Sequence, residues 1–333
     1  MMEGVELSRW LRQQSVCVTG GRGALGTLLV RRLLEGGAAR VVTLDNSPLI
    51  PSPETAGHER SAETVLGSIL NPSDLDRALA GCTTVFHLAA LAHVGRSSSA
   101  PIDCFHVNAF GTAQVLEACR RSGVQRVLYV STGHVYGVPK KLPLREEHPT
   151  APLSVYAASK LAGEAVVQGY AASFGLACDI ARLSNVYGSS FDENTVISTA
   201  LSQAAAGGPV VLRDPTPVRD FIHVDDVVEA LVRLAASPEP GERERIVNVS
   251  TGRGVSVRGM TQILAKLLEE GGRAHQVVFQ GGSEHGAQAP RLILDNGRLV
   301  RRTGWRPEMR LERGLELALR DWRRQENNLK GTR

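Results

Sequence analysis

The stretch Ser-Val-Cys-Val-Thr-Gly-Gly-Arg-Gly-Ala-Leu-Gly at residues 15–26 decides the fold class of this chain. Its apolar start predicts a short buried strand, and the apolar spacing over 27–34 predicts a helix directly after the glycines. Gly20 permits a tight turn, Gly23 lets the backbone approach a ligand, and Gly26 lets helix and strand pack closely. The N–H groups and the dipole at the start of such a helix favour a pyrophosphate. The stretch therefore predicts a dinucleotide-binding loop.

A second apolar run ends in an acidic residue that selects the dinucleotide. Asp45 follows Val-Val-Thr-Leu and lies about 20 residues beyond the glycines, where a carboxylate can hold the adenosine ribose hydroxyls. The same carboxylate would repel a 2′-phosphate. NAD is therefore favoured over NADP, and a reductase that consumes NADP is disfavoured.

The overall composition excludes several classes of protein. Of the 333 residues, 42% are hydrophobic and 22% are charged, and the 38 basic against 34 acidic residues argue against a nucleic-acid partner. The five cysteines show no metal-ligand spacing, so we expect no metal and interpret them as reduced thiols of a soluble, cytoplasmic protein. No apolar run approaches the length of a membrane span, and residues 1–14 lack a signal-peptide pattern.

Apolar runs and helical periods alternate along much of the chain. This alternation predicts an α/β fold with a doubly wound parallel (Rossmann) sheet, in which ligands bind outside the carboxyl ends of the strands. Strands are expected at 16–18, 41–45, 64–70, 84–90, 126–131, 177–183 and 246–249, and helices at 27–34, 72–79, 102–122, 155–173, 195–206 and 225–236. We expect Ser73 to cap the second of these helices, His87 to be a packed core histidine, and Asn108 to satisfy backbone groups near the site.

The rhythm of the sequence changes at residue 187, and the chain beyond 255 is predicted to be mainly helical. We expect a Rossmann domain at 1–186 plus about 220–250, and a smaller, partly discontinuous α/β lobe at about 187–219 plus 251–333. The smaller lobe would cover the cofactor and contact the substrate, with Phe191 among the residues that limit its pocket. Loops are expected at 46–61, 238–244 and 281–283.

One helix carries a pair of residues suited to proton transfer. Tyr156 and Lys160 are spaced i and i+4, so both lie on one helix face. A phenol is a poor base at its ordinary pKa of about 10, and Lys160 together with a positive nicotinamide would lower that pKa. Thr132, at the end of a predicted strand, can hydrogen-bond the same substrate hydroxyl. These three residues are the predicted catalytic group.

Several motifs together resemble the extended short-chain dehydrogenase/reductases, in the branch of NAD-dependent nucleotide-sugar epimerases and dehydratases. The motifs are Thr-Gly-Gly-Arg-Gly-Ala-Leu-Gly at 19–26, Val-Phe-His-Leu-Ala-Ala at 85–90, Ser-Thr-Gly-His-Val-Tyr-Gly at 131–137, Tyr-Ala-Ala-Ser-Lys at 156–160, Arg-Asp-Phe-Ile-His-Val-Asp-Asp-Val at 219–227 and Gly-Trp-Arg-Pro at 304–307. The expected cofactor contacts are Gly20, Gly23, Ala24, Leu25, Gly26, Asp45, Asn46, Ser68, Ile69, Leu88, Ala89, Ala90, Asn108, Tyr156 and Lys160.

The resemblance implies chemistry at C4 of a nucleotide sugar, with a UDP-sugar favoured. Tyr156 would take the proton of the C4 hydroxyl while NAD accepts the hydride, which leaves a 4-keto sugar. The resemblance also implies that Asn185 contacts the sugar diphosphate and that Arg219 and Arg291 contact phosphate or ribose. The substrate contacts are thus Thr132, His134, Tyr156, Asn185, Arg219 and Arg291. It further implies a homodimer formed through the helices near 102–122 and 155–173.

The chain departs from its relatives directly after Thr132. Dehydratases of this branch carry Asp-Glu there, and uronate decarboxylases carry Ser-Glu, whereas this chain has Gly133-His134. A 4-epimerase needs neither carboxylate, so 4-epimerisation is the leading hypothesis. His134 could titrate near neutrality and replace the missing acid, which keeps a UDP-glucuronate decarboxylase, a 4,6-dehydratase or a 4-ketoreductase open. A non-catalytic NAD-binding sensor is disfavoured because the catalytic group is intact.

Overall fold

The structure is a computed structural model that describes residues 4–47, 62–92, 99–188, 195–237, 244–270, 276–281 and 291–331. Its strands are β1 Ser15–Thr19, β2 Arg40–Asp45, β3 Glu63–Leu66, β4 Thr84–His87, β5 Arg126–Thr132, β6 Ala177–Leu183, β7 Asn185–Tyr187, β8 Val210–Leu212, β9 Val218–Arg219, β10 Phe221–His223, β11 Glu244–Val249, β12 Val255–Ser256, β13 Val277–Phe279 and β14 Arg291–Leu292.

The helices alternate with these strands. They are α1 Gly4–Leu11, α2 Ala24–Glu35, α3 Pro72–Leu79, α4 Pro101–Phe105, α5 Gly111–Ser122, α6 Val155–Phe174, α7 Val196–Ala205, α8 Val224–Ala236, α9 Val257–Glu270, α10 Gly297–Thr303 and α11 Leu311–Gly331. Among the described residues, no helix combines the length and apolar character that a membrane span requires.

A seven-stranded parallel sheet organises the molecule. Its order is β11-β6-β5-β4-β1-β2-β3, and every neighbouring pair in it is parallel. The strand order reverses between β1 and β4, which places a crevice at their carboxyl ends, beyond Thr19 and His87. The predicted doubly wound α/β fold is confirmed.

Helices cover both faces of this sheet because its strands are apolar on both sides. In β1, Val16 and Val18 enter one core together with residues of α2 and α8, whereas Cys17 enters the opposite core with residues of α3, α5 and α6. The alternation follows from the two-residue period of a strand. All five cysteines are buried free thiols.

A third apolar core lies apart from the two cores of the main sheet. It joins Tyr187 and α7 to β8, α9 and the start of α11. Trp305, by contrast, belongs to the main core, and its indole N–H donates to the Asp226 carbonyl 3.1 Å away. The Asp226 carboxylate accepts the N–H groups of Glu308 and Met309, at 2.9 and 3.0 Å, so the Gly-Trp-Arg-Pro motif serves to anchor the chain before α11.

The structure corrects three details of the sequence prediction. The cap of α3 is Asn71 rather than Ser73, because the Asn71 side chain accepts the Ser73 N–H. The helix predicted over 102–122 is interrupted by a π-helical turn at His106–Phe110. The strands predicted over 64–70 and 84–90 end at Leu66 and His87. Most of the loops predicted at 46–61 and 238–244, residues 282–283 and Phe191 lie outside the described residues.

Candidate active site

The glycine loop between β1 and α2 is shaped to receive a diphosphate. Gly20 has a φ of 71°, and a Cβ there would lie 2.8 Å from the backbone nitrogen of Ala89. A Cβ on Gly26 would overlap the Gly20 carbonyl oxygen, so the first turn of α2 can pack against the loop only with glycine at this position. Gly23 is exposed and would meet only the Gly20 carbonyl, at 3.4 Å. Its open side, followed by Ala24 and Leu25 in the first turn of α2, fits the pyrophosphate of NAD.

Asp45 lies at the carboxyl end of β2, beside this loop. One carboxylate oxygen accepts the N–H of Arg22 and the other accepts the N–H of Ser47, both at 3.0 Å. Two backbone N–H groups thus hold the carboxylate in place, beside the exposed Asn46. This position suits a ribose diol.

Two further segments border the crevice. Ser68 and Ile69 follow β3; the Ser68 N–H donates to Asp74, and Ile69 packs against Gly111. Leu88, Ala89 and Ala90 follow β4 and are half-buried.

Asn108 lies in the π-helical turn, behind the segment that follows β4. Its side chain accepts the Leu91 N–H at 2.7 Å and donates to the Ser159 hydroxyl at 2.8 Å. Asn108 therefore satisfies backbone groups beside the crevice, as predicted, and also holds α6.

Thr132 ends β5, and Tyr156 and Lys160 lie on α6, the helix that packs against this strand. Tyr156 lies in the first turn of α6, directly after the Ser154 cap, and α6 packs against β5 and the turn at Gly133–Tyr136. Lys160 is one turn further along and only 2% exposed. The Thr132 hydroxyl accepts the His134 N–H at 3.2 Å, which orients it at the strand end.

Loss of water dominates the electrostatics of the phenol and the lysine. Burial raises the pKa of Tyr156 to about 12 and lowers the pKa of Lys160 to about 7. Burial is the largest cause of the Tyr156 shift and Lys160 is not among its causes, so the joint effect of Lys160 and a bound nicotinamide on the phenol stays a prediction.

A buried ionic network beneath these residues was missed by the sequence analysis. The Glu164 carboxylate accepts a hydrogen bond from the Ser131 hydroxyl at 2.5 Å and pairs with Arg182 at 2.6 Å. Glu164 lies one turn after Lys160, and its charge acts to raise the pKa of that lysine. The i+4 spacing from Lys160 was the available signal, but the partners lie on β5 and β6.

Comparison with known proteins identifies the family of the chain. The sequence model of the NAD dependent epimerase/dehydratase family matches residues 16–250. The chain belongs to the NAD-dependent epimerase/dehydratase family.

Relatives with different reactions share the whole architecture. A UDP-glucose 4-epimerase of Mycolicibacterium smegmatis is 34% identical over 307 residues, covering 90% of this chain and 95% of that protein. The structure of a UDP-glucose 4-epimerase of Thermotoga maritima with UDP-glucose has a TM-score of 0.84 and 29% identity, covering 94% of this chain and 99% of that one. A dTDP-glucose 4,6-dehydratase of Streptomyces venezuelae with NAD bound has a TM-score of 0.83 and 29% identity, covering 95% and 98%.

In this member of the epimerase/dehydratase family, a side chain directly after Thr132 would require Leu294 to shift. A Cβ on Gly133 would lie 2.8 Å from Cδ1 of Leu294, a fully buried residue packed with Val135, Tyr136 and Leu144. Leu294 is held there by a bridge to Leu144. The leucine thus occupies the space that an acidic side chain at 133 would need.

His134 is not the neutral-pH acid that the sequence left open. His134 is exposed, and partial desolvation together with the charge of Arg219 lowers the pKa of its imidazole to about 4. At pH 7 the side chain is therefore neutral. It can hydrogen-bond a ligand, but it does not carry the proton that a dehydratase or decarboxylase acid would give up.

The predicted phosphate contacts are only partly brought together. The Asn185 amide oxygen is buried and has no hydrogen-bond partner among the described residues, which leaves an acceptor for a ligand group. Arg219 is half-buried and lies near His134. Arg291 pairs with Val218, whereas Leu292 pairs with Arg219, so the two arginines project from opposite faces of the β12-β9-β14 sheet. Arg291 is exposed, and the register does not place it with Arg219.

Proposed function

We propose that the chain is an NAD-dependent 4-epimerase of a nucleotide sugar, with a UDP-sugar as substrate. Its family membership and the placement of Thr132 at the end of β5, with Tyr156 and Lys160 on the adjoining α6, support chemistry at the C4 hydroxyl. NAD, when bound, supplies the acceptor and donor of the C4 hydride. The named relatives from Mycolicibacterium and Thermotoga support UDP-glucose as the first substrate to test.

The protein's own residues would hold the sugar and move one proton. In its ionised form, which the positive nicotinamide of bound NAD would favour, Tyr156 accepts the proton of the C4 hydroxyl when the sugar is oxidised and returns it when the sugar is reduced. Lys160, in its protonated form, provides a buried positive charge one helical turn away, and Thr132 holds the same hydroxyl toward the phenol. Asn185 and Arg219 are proposed to contact the diphosphate through their donor groups, the amide NH2 of Asn185 and the desolvated guanidinium of Arg219.

The contact between Gly133 and Leu294 is the observation that favours epimerisation over the alternatives. Dehydration requires both an acid and a base after Thr132; packing opposes a side chain at 133, and the neutral His134 imidazole can act as a base but not as the acid. The 4-keto sugar would therefore turn over within the pocket and be reduced on its other face. The proposed lobe at about 187–219 plus 251–333 would enclose the sugar during that rotation.

Proton NMR in deuterated water tests this reaction. The purified protein would receive UDP-glucose, UDP-glucuronate, dTDP-glucose or GDP-mannose in separate samples, without added reductant. We expect a C4 epimer that carries no deuterium, because the hydride stays within a closed cycle. Deuterium at C5 or C6, or loss of the carboxylate, would instead assign the chain to dehydration or decarboxylation.

We also propose that the chain acts as a homodimer in the cytoplasm. Exposed apolar side chains mark the α4–α6 side of the molecule: Ile102 at 78% exposure, Phe105, Phe110 and Phe174. Sedimentation of Phe110→Asp tests the dimer, with Val5→Asp on α1 as the matched exposed control. A monomeric Phe110→Asp beside a dimeric control is the expected result, and dimers in both would exclude this face. The buried free thiols are compatible with a reducing compartment.

A further inference from the structure

A buried histidine joins β1, the strand before the glycine loop, to α5. His87 ends β4 and is 1% exposed. Its Nδ1 atom lies 2.7 Å from Oγ1 of Thr19, the residue before Gly20, and its Nε2 atom lies 3.0 Å from Oγ1 of Thr112 on α5. Thr19 and Thr112 are both fully buried as well. The reaction proposed above assigns no role to any of these three side chains.

The direction of each hydrogen bond in this series follows from its last acceptor, the Asn108 carbonyl. The Thr112 hydroxyl donates to the Asn108 carbonyl at 2.7 Å, and a carbonyl can only accept. A hydroxyl has one hydrogen, so Thr112 must accept from the His87 Nε2–H. Burial and the charge of Lys160 lower the pKa of His87 to about 3, so the ring is neutral and Nδ1 is bare. Thr19 therefore donates to Nδ1, and its oxygen accepts the Ala89 N–H at 3.3 Å.

We propose that His87, as its Nε2–H tautomer, is a positioning residue of the cofactor site that fixes the segment after β4 against the glycine loop. The hydrogen bonds run in one direction, from the Ala89 amide through Thr19, His87 and Thr112 to the Asn108 carbonyl. Asn108 then holds Leu91 and Ser159, and the Ser159 hydroxyl donates to the Tyr156 carbonyl at 2.8 Å. These hydrogen bonds thereby connect the glycine loop with the first turn of α6.

The location of Ala89 explains why such fixation affects the cofactor. The Ala89 backbone nitrogen lies only 2.8 Å from the position that a Gly20 Cβ would occupy, so the segment after β4, here called the wall, is in close contact with the glycine loop. A small shift of Ala89 therefore alters the slot between them. A neutral imidazole can accept at one ring nitrogen and donate at the other, which a hydroxyl or an ammonium cannot do across this span.

The tautomer can be measured directly by NMR. Protein labelled with 15N-histidine would be recorded by long-range 1H–15N correlation between pH 5.5 and pH 8, and His87→Asn would identify the His87 signals. We expect a protonated Nε2, a bare Nδ1 and no titration in this range. A protonated Nδ1, or a ring that gains charge in this range, would overturn the proposal.

NAD affinity then separates positioning from plain packing. Thr19→Val and His87→Leu are each expected to weaken NAD binding to cofactor-stripped protein by about tenfold, because one buried hydrogen bond of the wall is lost. His87→Asn, whose amide can still accept from Thr19, should remain within about threefold of the wild type. Calorimetry measures the dissociation constants without any sugar, so the outcome is independent of the proposed epimerase reaction.

Thr84→Val is the matched control for these variants. Thr84 is the first residue of the same strand and is buried, and its hydroxyl donates to the Gln14 side chain at 2.9 Å. It therefore lies at the amino ends of the strands, away from the crevice at their carboxyl ends. It should lose thermal stability like Thr19→Val yet bind NAD as the wild type does. Equal NAD affinity in Thr19→Val and Thr84→Val would contradict the proposal and show that His87 serves only to pack the core. Because valine keeps the shape of threonine, Thr19→Val decides the question even if His87→Leu does not fold.

Discussion

The Lys160 ammonium lies 4.1 Å from the centroid of the Tyr129 ring, and this aromatic face shields it from water. The Tyr129 hydroxyl in turn donates to the Lys160 carbonyl at 3.3 Å. A cation over a ring face is stabilised by the ring quadrupole, yet less well than by water. Protonation of the buried lysine therefore lowers the stability of the folded protein, and this effect can be measured.

Lys160 makes the stability of the protein rise with pH. Its folded pKa of about 7 lies below the ordinary value of about 10.4, so between these pH values the unfolded chain binds a proton that the native chain has released. Relative to Lys160→Met, the wild type should have its lowest free energy of unfolding below pH 7. This free energy should rise by about 1–4 kcal/mol by pH 10. Denaturant unfolding at pH 6, 8 and 10 measures the difference. The exposed Lys266→Met should show no such recovery, and a pH-independent difference for Lys160→Met would contradict this account.

Removal of the Tyr156 hydroxyl should abolish turnover without releasing the cofactor. Tyr156→Phe keeps the ring and its packing but has no group to exchange the C4 proton, so activity should fall by several orders of magnitude. Bound NAD and epimer formation are measured on the same preparation. Tyr170→Phe, on the same helix but outside the site, is the control and should keep full activity. An active Tyr156→Phe would remove this residue from the mechanism.

Asp45 should determine both the affinity for NAD and its selection over NADP. Asp45→Ala removes the charged acceptor for the ribose diol, so NAD should bind about 10- to 100-fold more weakly. The repulsion of a 2′-phosphate also disappears, so the ratio of the NADP and NAD dissociation constants should fall. Asp76→Ala, an exposed carboxylate paired with Arg121, serves as the control. An unchanged ratio in Asp45→Ala would place the ribose contact elsewhere.

The pair of Glu164 and Arg182 should be essential to stability when only one partner is removed. Glu164→Leu leaves a buried guanidinium without its counter-ion, so the free energy of unfolding should fall by about 3–5 kcal/mol. The double variant Glu164→Leu/Arg182→Met should recover much of this loss, since both charges are then gone. Glu117→Leu, in an exposed pair with Arg120, should change stability little. If Glu164→Leu behaves like Glu117→Leu, the network is not structural.

An acidic residue at position 133 should conflict with Leu294. Gly133→Asp is expected to lower the free energy of unfolding by about 1–3 kcal/mol, because the new Cβ overlaps the leucine side chain. Leu294→Ala opens the space, so the same substitution made in that background should cost less. Thermal unfolding of the four proteins measures the coupling. Additive effects would show that Leu294 does not exclude a side chain there.

The sequence predicted the main features of the sheet because they depend on local pattern. The glycines at 20, 23 and 26, the acidic end of β2 and the Tyr-x-x-x-Lys spacing are each confined to a few residues, and the structure brings them to the same edge of the sheet. The cap of α3 was misplaced by two residues because Asn71 and Ser73 are both good caps. The π-helical turn was missed because it leaves the apolar period of the surrounding helix nearly intact.

The sequence alone therefore determined the fold class and the cofactor and predicts the residues that exchange a proton, since each follows from residues close together in the chain. Only the tertiary structure decided the charge states and the excluded space. The raised pKa of Tyr156, the lowered pKa values of Lys160 and His134, and the contact of Leu294 with Gly133 all depend on burial among distant segments. Desolvation and close packing are properties of neighbours in space, and a single sequence does not list those neighbours.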